Sequence, residues 1–517
     1  MTPRKAVYKH IAKVQPVRPS RPRKAWLFRR KGIVQREVGL RTIGRSLVSL
    51  WLTFFFPPAV NAHEPHRCPE GFPEKPALAG HLEQADIVHG KLEFREIFAA
   101  GEKLFTAIFN TCDGQGRPAT TGTGEKRVPD EPAFIRTSAP DSNACAGCHI
   151  QPRTGGAGDF VANVFVLAQA KDPVTFSVGP EDSNERNTLG MFGSGAIEML
   201  AREMTAELKA QAARLPDGTH TLTTKGVDFE VTLIGGKVVE SRGVDIDLII
   251  KPFHQSGVVR SVREFTVNAF NHHHGMQPEE RFDLNPAKGN DPDFDEDGVT
   301  GEITIGDVTA ATVFQAALAV PGRVMPKDRK GRETARRGEA LFGSIGCASC
   351  HAPRMKLNSG FFVEPNPLNP PGTFSDTRQS FVFDLTKDGE KPRLKGTSDG
   401  GAIVRAFTDL KRHDLCDPED RQDAIRFFCN EQLAQGRSDQ DGRAGREFFI
   451  TRKLWDVGNS APYGHRGDLT TITEAILVHG GEARDSRDRF TTLPTADQAA
   501  VAEFFKSLQV LPLPHDD

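Results

Sequence analysis

Long apolar runs are missing from this sequence. One stretch stands out, Leu47–Phe56 (LVSLWLTFFF), and its ten residues fall well short of the roughly 20 that a membrane-spanning helix needs. With 38% hydrophobic residues over 517 positions, the chain reads as globular, long enough for two or three domains with sizeable cores. A surplus of basic charge is missing as well. Lys and Arg number 66 against 68 Asp and Glu, a net charge of −2. That balance hides an asymmetry. Residues 1–62 hold 14 Lys and Arg and a single acid, Glu37, while the remainder carries 52 basic against 67 acidic residues. Phosphate contacts need a basic surface, so the acidic bulk of the protein argues against a nucleic-acid partner.

The basic leader has its own explanation. Pro57-Pro58 end the apolar run, and Val60-Asn61-Ala62 offers small residues for cleavage. Residues 1–62 read as a secretory signal peptide with a long basic leader. The Arg29-Arg30 pair lies far from the apolar run, which favours export of an unfolded chain over a twin-arginine route. The expected compartment is the bacterial periplasm, with no stable membrane span after cleavage.

There are eight cysteines. Four fall in Cys145-Ala146-Gly147-Cys148-His149 and Cys347-Ala348-Ser349-Cys350-His351. A thioredoxin-like dithiol needs a strand–helix–strand setting, which neither run has. A zinc site needs both pairs to converge on one metal, yet each already carries its own histidine. C-x-x-C-H is the attachment pattern of a c-type haem. The thiols Cys145, Cys148, Cys347 and Cys350 take the porphyrin covalently, and His149 and His351 become proximal axial ligands. Two covalently bound haem c groups are therefore expected. Cys68, Cys112, Cys416 and Cys429 remain. In an oxidising compartment this even number implies two disulfides, with three pairings open to them.

A weak internal repeat supports two haem domains. Gly101-Glu-Lys-Leu-Phe105 matches Gly338-Glu-Ala-Leu-Phe342, each on an amphipathic helix ahead of its haem motif. In the first copy a Gly-, Thr- and Pro-rich insertion of about 113–141 intervenes and reads as a surface loop. A helix is expected near Gly195–Leu215. Residues 216–252 then turn β-branched and alternating around Gly235-Gly236, with Val244–Lys251 as one of the extended segments, and read as a small sheet. Residues 320–336 read as a linker, and the Pro-rich stretch Glu364–Gly372 as a loop of the second domain. The expected fold is mainly α: two cytochrome c-like haem domains, 63–325 and 330–517, with a small β insertion (about 216–252) in the N-terminal half.

Further segments join the haem motifs: Trp455-Asp456-Val457-Gly458, Tyr463-Gly464-His465-Arg466-Gly467-Asp468-Leu469, Thr473-Glu474-Ala475-Ile476 and His479-Gly480-Gly481-Glu482-Ala483. Together they resemble the bacterial di-haem cytochrome c peroxidase superfamily, in particular its di-haem oxidoreductase, thiol oxidoreductase-like branch. The resemblance implies an oxidoreductase of peroxidase type. A small redox donor protein or quinol-linked source would feed the C-terminal haem, and peroxide or another small oxidant would be reduced at the N-terminal haem. It also implies His479 as the second axial ligand of the C-terminal iron, at the position fourteen residues after His465 where the superfamily's peroxidases carry methionine. Two departures matter. The superfamily's methylamine-dehydrogenase maturation enzymes carry tyrosine at that ligand position, and the only tyrosines here are Tyr8 and Tyr463. The superfamily's peroxidases place a tryptophan between the haems from the N-terminal domain, whereas past the leader the only tryptophan is Trp455. A non-catalytic di-haem electron-transfer cytochrome, or an oxidase or dehydrogenase of another substrate, are the competing readings.

For the N-terminal iron the superfamily's distal histidine has no counterpart. Met191, His272, His273 and His274 are the candidate ligands, and if none binds the iron is open. Glu198, in a segment that resembles the branch's G-x-G-x-x-E, is the candidate catalytic acid–base, moving a proton between peroxide oxygens. Arg186 is the candidate that stabilises developing charge. Finally, Asp293, Asp295 and Asp297 with Gly298 follow the spacing of a calcium loop over 293–304, with the Val299 carbonyl and Glu302 completing the set. Thr304 stands where such loops carry a bidentate glutamate, and Asp307 is a second substitute.

Overall fold

Two helix pairs, built alike, organise the chain. In the computed structural model, helix Phe94–Thr106 packs against Ile305–Ala316, and helix Arg329–Ser344 against Thr495–Lys506. The G-E-x-L-F repeat supplies both crossings. A methyl added at Gly101 would sit 2.0 Å from the carbonyl oxygen of Ala310, and one at Gly338 1.9 Å from that of Ala500. Only a residue without Cβ permits such backbone approach. Four residues further on, Phe105 meets Phe314 with ring centroids 5.3 Å apart, and Phe342 meets Phe504 at 5.4 Å. The partner helices thus share their own pattern, Ala310-x-x-x-Phe314 and Ala500-x-x-x-Phe504, which extends the repeat beyond what the first pentapeptide revealed.

The structure describes residues 75–115, 142–159, 161–163, 185–284, 290, 292–293, 298–420, 429 and 448–512. All belong to one compact unit. The leader, Cys68 and most of the 113–141 insertion lie outside the described residues. Among these residues are eleven α-helices, with sheets of no more than three strands, and no helix is long and apolar enough to cross a membrane.

The β insertion is a three-stranded antiparallel meander of Gly218–Thr224, Val227–Ile234 and Lys237–Arg242. Its central strand buries Val227, Phe229, Val231 and Leu233 on one face, the period of two that half-buried strands require. Gly235 and Gly236, both at positive φ, make the second hairpin turn, and the Asp217 carboxylate accepts both of their N–H groups. The expectation that Val244–Lys251 is extended is corrected. That segment is a loop, because Asp245 is held by ion pairs to Lys251 and Arg412 and Leu248 takes a left-handed conformation. The expected helix near Gly195–Leu215 is found at Ser194–Ala212.

Segments read as connectors are structural. Within 320–336, Gly322–Arg323 pairs with Leu508–Gln509, and helix Arg329–Ser344 begins after an Asp328 cap. The Pro-rich stretch Glu364–Gly372 reaches into the N-terminal half. Asn366 donates to Glu198, Ser261 donates to Asn369, and Arg260 donates to the Leu368 carbonyl. Glu364 itself meets Arg263, both fully buried. A loop by composition, it is a clasp by position.

Candidate haem cavities

Each C-x-x-C-H motif opens onto its own large, mainly apolar cavity. The N-terminal cavity, lined by Cys145, Cys148 and His149, encloses about 1480 Å³ of non-atom space including its mouth. The C-terminal one, lined by Cys347, Cys350, His351 and His479, encloses about 1720 Å³.

The three histidines are oriented in the same way. His149 donates from Nδ1 to the carbonyls of Leu189 (3.0 Å) and Gly156 (3.2 Å). The chain after the motif must fold back to bring Gly156 there, and a Cβ at that glycine would collide with the Gln151 carbonyl. His351 donates to the Phe407 carbonyl at 3.1 Å, and His479 to the Ala475 carbonyl at 2.7 Å, one turn back near the end of helix Ile472–Leu477. An imidazole whose Nδ1 carries the proton keeps its lone pair on Nε2, the form a metal ligand takes. Burial, with smaller contributions from neighbouring histidines, pushes His149 and His351 down to about 4, so both are neutral at ordinary pH. Burial also raises the Cys145 thiol to about 12 and the Cys347 thiol to about 11. None of the four motif cysteines is in a disulfide, whereas Cys416 and Cys429 form one and Cys112 is disulfide-bonded as well.

The C-terminal signature has a local physical account. Gly480 and Gly481 lie against the 414–417 segment. A Cβ at Gly481 would come within 2.3 Å of the Asp414 carbonyl oxygen, and the Gly481 N–H donates to Asp417. Glu482 accepts from His413 Nδ1 at 2.7 Å while Asp409 accepts from Nε2 at 2.9 Å. Burial opposes a charge on His413, but the bonds to Asp409, Cys350 and Glu482 outweigh it and lift its pKa to about 11. The cluster Cys350, Asp409, His413 is compact enough for an ion; with His413 protonated it forms a salt-bridged brace beside Cys350, since a doubly protonated imidazole has no lone pair to give. His413 carried no sequence signal.

Among the candidate ligands of the N-terminal iron, Met191, His273 and His274 line its cavity and His272 does not. His274 donates from Nδ1 to the Ser142 carbonyl, and its Nε2 lies 3.5 Å from Cys145 Sγ. His254 and His465 line the cavity too. Glu198 stands behind the wall rather than on it. It is fully buried, accepting from the Val262 N–H (2.8 Å) and from Asn366 (3.0 Å). The two glycines ahead of it serve packing, since Gly193 lies against the Trp455 ring and Gly195 against the Ala316 carbonyl. Burial, reinforced by the Glu364 carboxylate, raises Glu198 to about 8. A carboxyl with a raised folded-state pKa binds its proton more tightly in the fold. Its contribution to stability is full below the ordinary carboxyl pKa and is lost as pH rises toward about 8. Glu198→Gln should flatten that part of the stability–pH profile between pH 4.5 and 8, read by urea denaturation across the range. An unchanged slope would show that Glu198 does not titrate there. Arg186 pairs with Ala162 in a short ladder, and its side chain lies outside the described residues, as do Asp295 and Asp297 of the acidic loop. Of the rest of that loop, Asp293 accepts from the Gly298 N–H and Glu302 from the Gln277 N–H, while Thr304 and Asp307 cap helix Ile305–Ala316.

Residues 399–508 match the family model described as "Di-haem oxidoreductase, putative peroxidase", in line with the resemblance read from the sequence. The match spans His413, Trp455, His465, His479 and Glu482. The family implies haem as the cofactor, and the cavities, thiols and oriented imidazoles fit it. Similar solved structures include hydrazine synthase from Kuenenia stuttgartiensis (13% identity, 83% of this chain and 96% of that one, TM-score 0.31). A MauG-like protein associated with microbial copper homeostasis is 14% identical over 77% and 93% of the two chains, TM-score 0.30. A variant of the diheme peroxidase BthA from Burkholderia thailandensis is 12% identical over 87% and 96%, TM-score 0.31. The chain has no significant match among curated proteins.

Proposed function

We propose that the chain is an exported di-haem c oxidoreductase of peroxidase type. The observation that carries this reading is the pair of cavities, each furnished with two thiols and a neutral imidazole whose Nε2 is left as the lone-pair nitrogen. Haem, when bound, supplies the redox chemistry; the protein supplies attachment, orientation and dielectric. Cys347 and Cys350 would tether the C-terminal group, with His351 and His479 as its two axial ligands. Cys145, Cys148 and His149 would hold the N-terminal group. Electrons from a small redox donor protein or a quinol-linked source would enter at the C-terminal site and cross to the N-terminal site. There, two electrons and two protons convert hydrogen peroxide to two waters. Glu198 holds Val262 and Asn366 from one layer behind the N-terminal cavity, so it would act by positioning that wall. The disulfides support an oxidising compartment such as the periplasm.

A second reading, a di-haem electron carrier without catalysis, is favoured by one observation: Met191, His273 and His274 all line the N-terminal cavity, and any of them as sixth ligand would close that iron. Electron paramagnetic resonance of the purified protein, before and after one-electron reduction and then with peroxide, separates the two. The peroxidase reading expects a ferric high-spin signal that responds to peroxide. Two permanently low-spin haems indifferent to peroxide would replace it with the carrier.

A further inference from the structure

The two cavities share a wall. Asn187, Gln255, Arg452, Lys453 and His465 line both of them, and this wall holds polar groups left over from the protein's own bonding. The Lys453 ammonium is paired with Asp456. Arg452 makes no hydrogen bond or ion pair with any described residue, although it lies one position away. Burial pushes its pKa down, and only the Asp456 charge works against that. Gln255 is 5% exposed, and neither its amide nitrogen nor its amide oxygen has a partner among the described residues. Asn187 donates to the Pro462 carbonyl, but its Oδ1 is unpartnered. A half-buried guanidinium with no ion pair and a buried amide with no side-chain bonds are both costly. Such groups on one wall common to both cavities point to a ligand that brings the missing charge. A guanidinium fork with an amide N–H beside it fits a carboxylate.

We propose that Arg452 and Gln255 form a shared carboxylate receptor, which engages the haem propionates from both cavities and sets the two haem potentials together. The inference rests on the di-haem reading. Arg452 neutralises propionate charge at both irons, and a cation near each iron disfavours its oxidised, more positive form. Lys453, already paired with Asp456, adds less. Arg452 is thus a positioning and tuning residue.

The test is spectroelectrochemical titration of the two-haem protein, as wild type, Arg452→Gln and Arg452→Lys. Arg452→Gln should shift both midpoint potentials downward, and Arg452→Lys should restore most of the shift by keeping the charge. Two haems present with neither potential, or only one, moved in Arg452→Gln would overturn the shared receptor while leaving the di-haem reading intact. A wild-type protein that attaches no haem would sink both. If Arg452→Gln does not fold, Gln255→Leu serves in its place. It should lower both potentials by a smaller amount, and unmoved potentials there would also overturn the proposal.

Discussion

Replacing His479 with alanine should convert one of the two haems from low-spin to high-spin and leave the other unchanged. His479 and His351 line the same cavity together with Cys347 and Cys350. The Ala475 carbonyl takes the Nδ1 proton of His479, so Nε2 is its one remaining donor atom. That carbonyl is held in turn by a helix whose Thr471–Glu474 capping box fixes its start. Alanine removes the ligand and leaves the helix and its cap alone, so the fold should survive. A water or an open position would replace a strong-field imidazole, and added imidazole should restore the low-spin spectrum. Optical absorption and paramagnetic resonance of the ferric protein check this. An unchanged low-spin signal in the variant would remove His479 as a ligand and place the second ligand of that iron elsewhere.

How much of this was legible in the sequence differs between the two cavities for physical reasons. On the di-haem reading the two thiols and their histidine are contiguous in each motif, because a thioether pair and its axial ligand would come from a single turn of chain. His479, which lines the C-terminal cavity, stands out in the sequence through the signature around it. Its glycines are fixed by close contact with the 414–417 segment and its glutamate by His413. The N-terminal side offered no such anchor. His254 and Gln255 reach the cavity from a loop whose sequence has no periodicity, and Arg452 reads as an ordinary charged residue until its lack of partners is seen. Trp455 lies in the C-terminal half of the sequence, yet it packs on Gly193 at the start of helix Ser194–Ala212. Composition marked Glu364–Gly372 as a loop, correctly for its backbone. What it could not carry was the location of that loop's partners, over a hundred residues away in the chain. The helix pairs were half legible: the pentapeptide repeat marked Gly101 and Gly338, while the matching Ala-x-x-x-Phe helices emerged only once each was seen against its glycine.

Arg263→Ala should be the most destabilising single substitution away from the haem sites, costing about 3–5 kcal/mol, the range found when one member of a buried ion pair is removed. Arg263 is fully buried. Its Nε donates to Glu280, Nη1 to both Thr309 and Glu364, and Nη2 to the Ile305 carbonyl. One guanidinium thus joins helix Val262–Ala269, helix Ile305–Ala316 and the strand Phe361–Glu364, and so ties the N-terminal half to the clasp. Burial already raises the pKa of Glu280 and of Glu364 despite this partner. Without it, Glu280, Glu364 and Glu198 share a dry interior with Arg202 as a remaining nearby cation, and taking up protons lowers the cost. The sign follows from linkage. Carboxyls with raised folded-state pKa values stabilise the fold fully at low pH, and that stability is lost as pH rises through those values. The deficit of the variant should therefore grow with pH above the ordinary carboxyl range. Adding Glu364→Gln to the variant should recover part of the stability and reduce that growth. Urea denaturation at several pH values measures both. A deficit under about 1 kcal/mol, the usual scale of a surface pair, or one independent of pH, would show that the clasp is not held by this charge network.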